Sequence, residues 1–143
     1  MVDVPQTQDQ ALTTGNAASD YDQAFSLLKS QNYEAAEAAF SSFVGSYPDS
    51  ELAPNARYWL AETFYVRGDF AQASKLFAEA FQSNPNGPKA ADNLLKLGMS
   101  LEGLGKVKES CVTYSEISKR FPNASASLLQ RARQQLEKNK CAQ

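Results

Sequence analysis

Large apolar, small and turn-forming positions recur along this chain with a period of 37 residues. Pro48, Pro85 and Pro122 are 37 residues apart, and the neighbouring columns keep their character under the same shift. The large apolar columns are Leu27, Phe64 and Leu101, and Phe40, Phe77 and Tyr114; the small columns are Ala24, Ala61 and Gly98, and Ala36, Ala73 and Ser110. This agreement predicts three copies of one structural unit.

Each unit is predicted to contain two helices joined by a short turn. In the second unit, Ala61 and Phe64 lie on one face of a first helix, and Gly68 then interrupts the pattern. A second helix around Phe77 ends before Pro85, because proline disfavours helical geometry in the residue that precedes it. One such unit cannot bury its apolar face alone, so we expect the units to stack and share a core.

The two ends of the chain differ from the repeats. Residues 1–16 are rich in Gln, Thr, Asp and Gly and carry no apolar periodicity, which predicts a flexible N-terminal linker. Residues 128–140 place Leu128, Ala132 and Leu136 on one face, with charged and amide side chains between them. This pattern predicts an amphipathic helix that caps the last unit and presents a polar surface to water.

Composition and charge exclude several classes of function. The chain has no histidine and two cysteines, so histidine-based catalysis and zinc sites made of imidazole or of four thiolates are excluded. Its 14 basic and 16 acidic residues argue against a nucleic-acid interface, and its apolar runs are too short to cross a membrane. We therefore expect no catalytic residue, cofactor or metal, no nucleic-acid partner and no direct membrane insertion.

The repeat pattern resembles that of the tetratricopeptide repeat. The resemblance implies an all-α tetratricopeptide-repeat solenoid with three helix-turn-helix repeats, at residues 17–53, 54–90 and 91–127, and a C-terminal capping helix at 128–140, within a domain that spans 17–143. The usual unit has 34 residues, and the three additional ones follow each proline. The first unit departs from the pattern at Gln31, where a glycine is typical.

In tetratricopeptide proteins the first helix of each pair lines a concave groove, and this resemblance implies a partner-binding site here. The corresponding residues are Tyr21, Phe25, Asn55, Tyr58, Trp59, Glu62, Tyr65, Asp92, Leu95, Lys96, Met99 and, on the capping helix, Arg133. Tyrosine and tryptophan dominate protein-binding hot spots. The alternative is that the aromatic residues, Tyr58 and Trp59 above all, mainly pack between units.

Co-chaperones of this family hold a terminal carboxylate with lysines, asparagines and an arginine along the groove. Here the corresponding positions are Tyr21, Phe25, Trp59 and Asp92, and only Lys96 is retained. The clamp is therefore absent, and we expect an apolar or extended ligand.

Two segments, residues 54–62 and 88–98, are most similar to one bacterial group. With the rest of residues 19–138 they resemble the C-terminal domain of the CpoB (YbgF) family, the periplasmic cell-division coordinators of the Tol–Pal system. The resemblance implies a non-enzymatic module that binds a TolA-like periplasmic domain and a peptidoglycan synthase, and so couples cell-wall synthesis to outer-membrane constriction. It also implies a trimer formed by a coiled coil outside this sequence. We further expect the N-terminal tail to dock in a neighbour's groove through Val2, Val4, Pro5 or Leu12.

A periplasmic location bears on the two cysteines, because disulfides persist in that compartment. Cys111 lies early in the second helix of the third unit, and Cys141 follows the capping helix, which should run back beside it. We predict a disulfide between them, with two independent thiols as the alternative. The rival functions are a scaffold for outer-membrane protein assembly and an accessory domain of a larger envelope enzyme.

Overall fold

The computed structural model describes residues 15–142, and all regular structure in this range is helical. The helices are α1 (Ala17–Lys29), α2 (Tyr33–Ser46), α3 (Ala53–Val66), α4 (Phe70–Ser83), α5 (Ala90–Gly103), α6 (Val107–Arg120) and α7 (Ala126–Lys138). Each helix packs against the next one along the chain, and α3 also contacts α5, as α5 contacts α7. The prediction of an all-α solenoid is confirmed.

The turns within the three helix pairs share one backbone conformation. Gly68 and Gly105 have φ angles of +82° and +78°, in the left-handed region that glycine adopts without a steric penalty. Gln31 occupies the equivalent turn in the first pair with φ +65°. The same chain path is therefore kept where the sequence departs from glycine.

Side-chain caps define where the terminal helices begin. The Ser125 side chain accepts a hydrogen bond from the Leu128 N–H at 3.2 Å, so α7 starts at Ala126, two residues before the expected capping helix. At the other end, Asn16 caps α1 by accepting from the Ser19 N–H at 3.0 Å. Most of the predicted linker, and the tail residues expected to dock on a neighbour, lie outside the described residues.

The core runs through the stack without a break. Phe40 and Phe43 are fully buried in a first cluster, and Phe77 is fully buried in a second. Trp59 packs against both of these clusters, and Leu97 joins the second to a third that contains the buried rings and aliphatic chains of α5, α6 and α7. Neighbouring units therefore bury one another's apolar faces, as the repeat pattern predicted.

A disulfide joins Cys111 on α6 to Cys141, which follows α7. The two Cα atoms are 5.6 Å apart, and the bond closes a sequence separation of 30 residues. The disulfide expected from the sequence is thus present, and it fixes the C-terminal end of α7 against α6.

Candidate protein-binding groove

A row of aromatic rings runs from α1 to α3. Tyr21 stacks on Phe25 with ring centroids 6.2 Å apart, and Phe25 meets Trp59 edge to face at 5.3 Å. Trp59 in turn meets Tyr58 at 4.9 Å. The i, i+4 spacing of Tyr21 and Phe25 on α1 and the contact of Phe25 with Trp59 on α3 therefore bring four of the predicted groove residues into one continuous set of contacts.

Burial divides the predicted groove residues into two groups. Tyr58 and Leu95 are only 8% and 3% exposed, and Tyr58 packs against Phe77 at 5.7 Å. Both side chains are buried in the core, Tyr58 against Phe77 of its own unit and Leu95 in the cluster with Tyr114 and Leu128, so these two predicted groove residues do not line an open surface. The part-exposed apolar side chains are Tyr21, Phe25, Trp59, Tyr65 and Met99.

An ion pair connects the middle and last units within the groove. The Lys96 Nζ lies 3.1 Å from the Glu62 Oε1, and both side chains are at most 15% exposed. The same ammonium lies 4.2 Å from the centroid of the Tyr65 ring. Lys96 is therefore held by two groups of α3, and its charge is largely neutralised within the protein.

Lys89 lies beside the tryptophan, and the sequence reasoning missed it. Its Nζ is 4.7 Å from the centroid of the Tyr58 ring and 5.1 Å from that of Trp59. The described residues give this ammonium no ion pair with a carboxylate. Lys89 stands just before the first turn of α5, so no helical spacing within the sequence relates it to Trp59 on α3.

The α1 side of the tryptophan carries polar atoms. The Asn55 Oδ1 is buried and has no hydrogen-bond partner. Burial raises the pKa of the Tyr21 hydroxyl above its usual value, while hydrogen bonding to the side chains of Trp59 and Asn55 acts in the opposite direction. An unpaired acceptor therefore lies beside an exposed apolar surface.

The phenols of the buried Tyr58 and of the part-exposed Tyr65 stay neutral in this environment. Desolvation is the main cause of the raised pKa of Tyr58 and of Tyr65, and the nearby carboxylate of Glu62 raises both further. The positive charge of Arg131 on α7 partly opposes both shifts. Both side chains pack against their neighbours, and they carry no charge at neutral pH.

The arginine of α7 that approaches the groove is Arg131, not Arg133. The Arg131 Nη2 lies 3.7 Å from the Met99 Sδ. Arg133 is exposed and makes no hydrogen bond or ion pair with another described residue. The two positions are two residues apart and so face different sides of the helix, and the burial of Leu128 and Ala132 turns the Arg131 side toward α5.

The last predicted groove residue, Asp92, lies at the edge of the groove. It is part-exposed and lines a cleft that also contains Pro88, Arg120 and Leu128, between the loops that precede α5 and α7. Its negative charge contributes to the raised pKa of Tyr58. Asp92 thus belongs to the loop edge as much as to the concave face.

The described residues contain no cluster of His, Cys, Asp or Glu that could hold a metal ion. No helix in residues 15–142 has the length and apolar character needed to cross a membrane. What the groove offers chemically is a surface for association: part-exposed rings, the Lys89 ammonium without a carboxylate partner, and the buried Asn55 Oδ1.

Comparison with known proteins agrees with this geometry. Two family models, each described as a tetratricopeptide repeat, match residues 21–91 and 92–124 in succession. Among solved structures, the N-terminal domain of stress-induced protein-1 (STI-1) from C. elegans superposes with a TM-score of 0.69. The match covers 87% of this chain and 97% of that one at 12% sequence identity, so it shows the fold alone.

Closer sequence relatives carry one name. The chain is 45% identical over 49 residues to the cell division coordinator CpoB of Pseudomonas putida, which is 34% of this chain and 18% of that protein. It is 42% identical over 53 residues to the protein of the same name from Escherichia coli strain K12, covering 36% and 20%. The resemblance to this group is confirmed, and it spans about a fifth of the length of these relatives.

Proposed function

The chain belongs to the tetratricopeptide-repeat family, and on that premise we propose that it is a non-enzymatic protein-interaction module that acts in cell division. It binds a segment of a partner protein in the groove formed by α1, α3, α5 and α7. The similarity to the CpoB coordinators supports a role in cell division. The row of aromatic rings, part-exposed at Tyr21, Phe25 and Trp59, supports the groove as the binding site.

The aromatic row is the single observation that carries the proposal. The buried clusters are already filled by other rings, such as Phe40, Phe43 and Phe77, which are fully buried. Trp59 packs against two clusters and still keeps part of its ring exposed. A large, rigid ring held in place by its neighbours and open on one side loses little entropy on binding, which is the character of a hot-spot residue.

The resemblance to the CpoB family supports the choice of partners, and the disulfide supports the choice of compartment. We infer a TolA-like periplasmic domain and a peptidoglycan synthase as partners, and the periplasm as the location. The Cys111–Cys141 bond supports this compartment, because structural disulfides are rare in reducing ones. Binding to both partners would link wall synthesis to constriction of the outer membrane.

Isothermal titration calorimetry with the TolA-like domain from the same genome tests the proposal. Trp59→Ala should weaken binding by at least tenfold, because truncating a hot-spot aromatic costs about 2 kcal/mol or more. Tyr33→Ala is the matched control: it removes a part-exposed ring from α2, which does not line the groove, and should leave the affinity unchanged.

Circular dichroism separates a binding effect from a folding effect, since both variants should retain their helical signal. Equal affinity of the wild-type protein and Trp59→Ala would reject the groove as the binding site. Equal weakening by Trp59→Ala and Tyr33→Ala would reject it as well.

A further inference from the structure

We propose that the corner formed by Lys89 and Trp59 binds an acidic side chain that stands next to an apolar one in the partner segment. This inference rests on the proposed function of the groove and names the chemistry of its ligand. It rests on the indole of Trp59 and on two groups beside it, the ammonium of Lys89 and the amide of Asn55.

The ammonium is held in place but its charge is not neutralised. Lys89 Nζ lies within 5.1 Å of the centroids of two rings that meet edge to face, and the side chain is half-buried. Aromatic faces attract a cation through their quadrupole without cancelling its charge. Lys96, in contrast, is 3.1 Å from a carboxylate oxygen of Glu62. Lys89 is therefore the cation of the groove centre that remains available to a carboxylate from outside.

The indole supplies the apolar surface beside this charge. Trp59 contacts Phe25 on one side and Tyr58 on another, so its ring cannot turn away when a ligand arrives. An aliphatic or aromatic side chain placed on its open face would bury apolar area next to the ammonium. Burial of this kind lowers the local dielectric and strengthens the charge pair.

The side-chain oxygen of Asn55 lacks a hydrogen-bond donor, which the same ligand would supply. Its Oδ1 is buried and unpaired, which costs about 1–3 kcal/mol unless a donor satisfies it. Asn55 lies one helical turn before Trp59 on α3, so it borders the same ring. Because this oxygen has less than 1 Å² of accessible surface, a backbone N–H of an extended segment would provide the hydrogen bond once binding turns the amide toward the corner.

The carboxylates near the corner do not cancel its preference for an acidic ligand group. The Glu62 carboxylate is the anion that acts most on the buried Tyr58 hydroxyl, but it is paired with Lys96. Asp92 also acts on that hydroxyl but forms no ion pair with Lys89, and Asp22 acts on Tyr21 at the α1 end. Both are part-exposed or exposed and so are solvated. The charge that residues 15–142 place over the face of Trp59 is the Lys89 ammonium, and the complementary ligand group is a carboxylate.

The chain provides its own reporter for a test, because Trp59 is its single tryptophan. The probe is a nine-residue peptide, acetylated and amidated, with the sequence Gly-Ser-Leu-Asp-Phe-Asp-Leu-Ser-Gly. Two matched peptides carry asparagine or lysine in place of both aspartates. Titration is followed by the emission of Trp59 in the whole 143-residue protein.

The aspartate peptide should change the emission and bind at least tenfold more tightly than the asparagine peptide, and the lysine peptide should bind least. Lys89→Gln should weaken the aspartate peptide about tenfold, as expected for a hydrogen bond to a charged group. Lys75→Gln, which removes an exposed lysine from α4, is the control and should change nothing.

Equal binding of the aspartate and asparagine peptides, or equal effects of Lys89→Gln and Lys75→Gln, would overturn the inference. It would also be overturned if no peptide bound while the TolA-like domain bound in a manner that required Trp59. That last result would leave the groove as the binding site and reject only its preference for carboxylates. Loss of the proposed function itself is seen separately, as indifference of the protein partner to Trp59→Ala.

Discussion

Gly98 on α5 lies directly against the ring of Tyr114 on α6. A Cβ atom placed at Gly98 would be 2.4 Å from the Cε1 of Tyr114, far inside van der Waals contact. The ring is 1% exposed and its hydroxyl donates a hydrogen bond to Glu102, so it cannot move aside without disturbing the core. The glycine therefore sets how closely the two helices of the third unit approach.

Gly98→Ala should lower the free energy of unfolding by about 1–3 kcal/mol, because overpacking outweighs the higher helix propensity of alanine. Urea denaturation followed by circular dichroism measures the change. Gly45→Ala on α2 is the control: a Cβ there meets no heavy atom within 4 Å, so this variant should gain about 0.5–1 kcal/mol. A Gly98→Ala protein as stable as the wild type would contradict the close contact.

The repeat pattern allowed the helices and the core to be predicted, because both depend on periodic burial. The column of Ala24, Ala61 and Gly98 is small because the paired helices approach closely there, and all three residues are buried. The turn column was equally visible, and Gly68 and Gly105 have the left-handed geometry that it implies.

The groove could be predicted only in part, because a column shows which face a residue lies on but not how deeply it is buried. Tyr58 and Trp59 are neighbours in sequence, yet Tyr58 is buried against Phe77 of its own unit and Trp59 stays part-exposed. Lys89 and Arg131 were missed for a different reason. Lys89 reaches Trp59 from the residue before α5, and Arg131 reaches Met99 from α7, each through a long side chain whose position depends on tertiary packing.

Gln31 occupies a left-handed turn that glycine adopts without strain. Its φ is +65°, whereas the equivalent turns use Gly68 and Gly105. A non-glycine residue in this region is strained by about 1–2 kcal/mol. Glycine removes this strain, but it also increases the conformational entropy of the unfolded chain, which offsets part of the stabilisation. Gln31→Gly should therefore raise the free energy of unfolding by up to about 1 kcal/mol in urea denaturation.

Gly68→Ala is the reciprocal variant at the equivalent turn. It should lower the free energy of unfolding by about 1 kcal/mol, because alanine is strained at φ +82° and its Cβ would meet no heavy atom within 4 Å. Destabilisation of the Gln31→Gly protein would show that the side chain of Gln31 makes a contribution larger than its backbone strain.

The Cys111–Cys141 disulfide should stabilise the C-terminal end of the stack. On α7 only Leu128 and Ala132 are buried, so the covalent bond supplements a modest apolar interface. Closing a separation of 30 residues corresponds to about 3–4 kcal/mol in the chain-entropy model. Replacing both cysteines by serine should lower the free energy of unfolding by that amount and speed hydrogen exchange in α7.

Reductant supplies the internal control for this prediction. It should destabilise the wild-type protein to the level of the double serine variant and leave that variant unchanged. Equal stability of the oxidised and reduced wild-type protein would show that packing alone holds α7 in place.

The buried phenol of Tyr58 should make stability fall at alkaline pH. Burial is the first cause of its raised pKa, followed by the carboxylates of Glu62 and Asp92, so the folded protein keeps this proton where the unfolded chain loses it, near pH 10. The contribution to stability is therefore complete below about pH 10 and is lost as the pH rises above it, by at most about 1.4 kcal/mol per pH unit. Tyr58→Phe removes this titration, so between pH 8 and pH 11 it should lose about 1 kcal/mol less than the wild type in urea denaturation. Lysine titration affects both proteins alike and cancels in the difference, and parallel stability curves would show that Tyr58 titrates normally in the folded state.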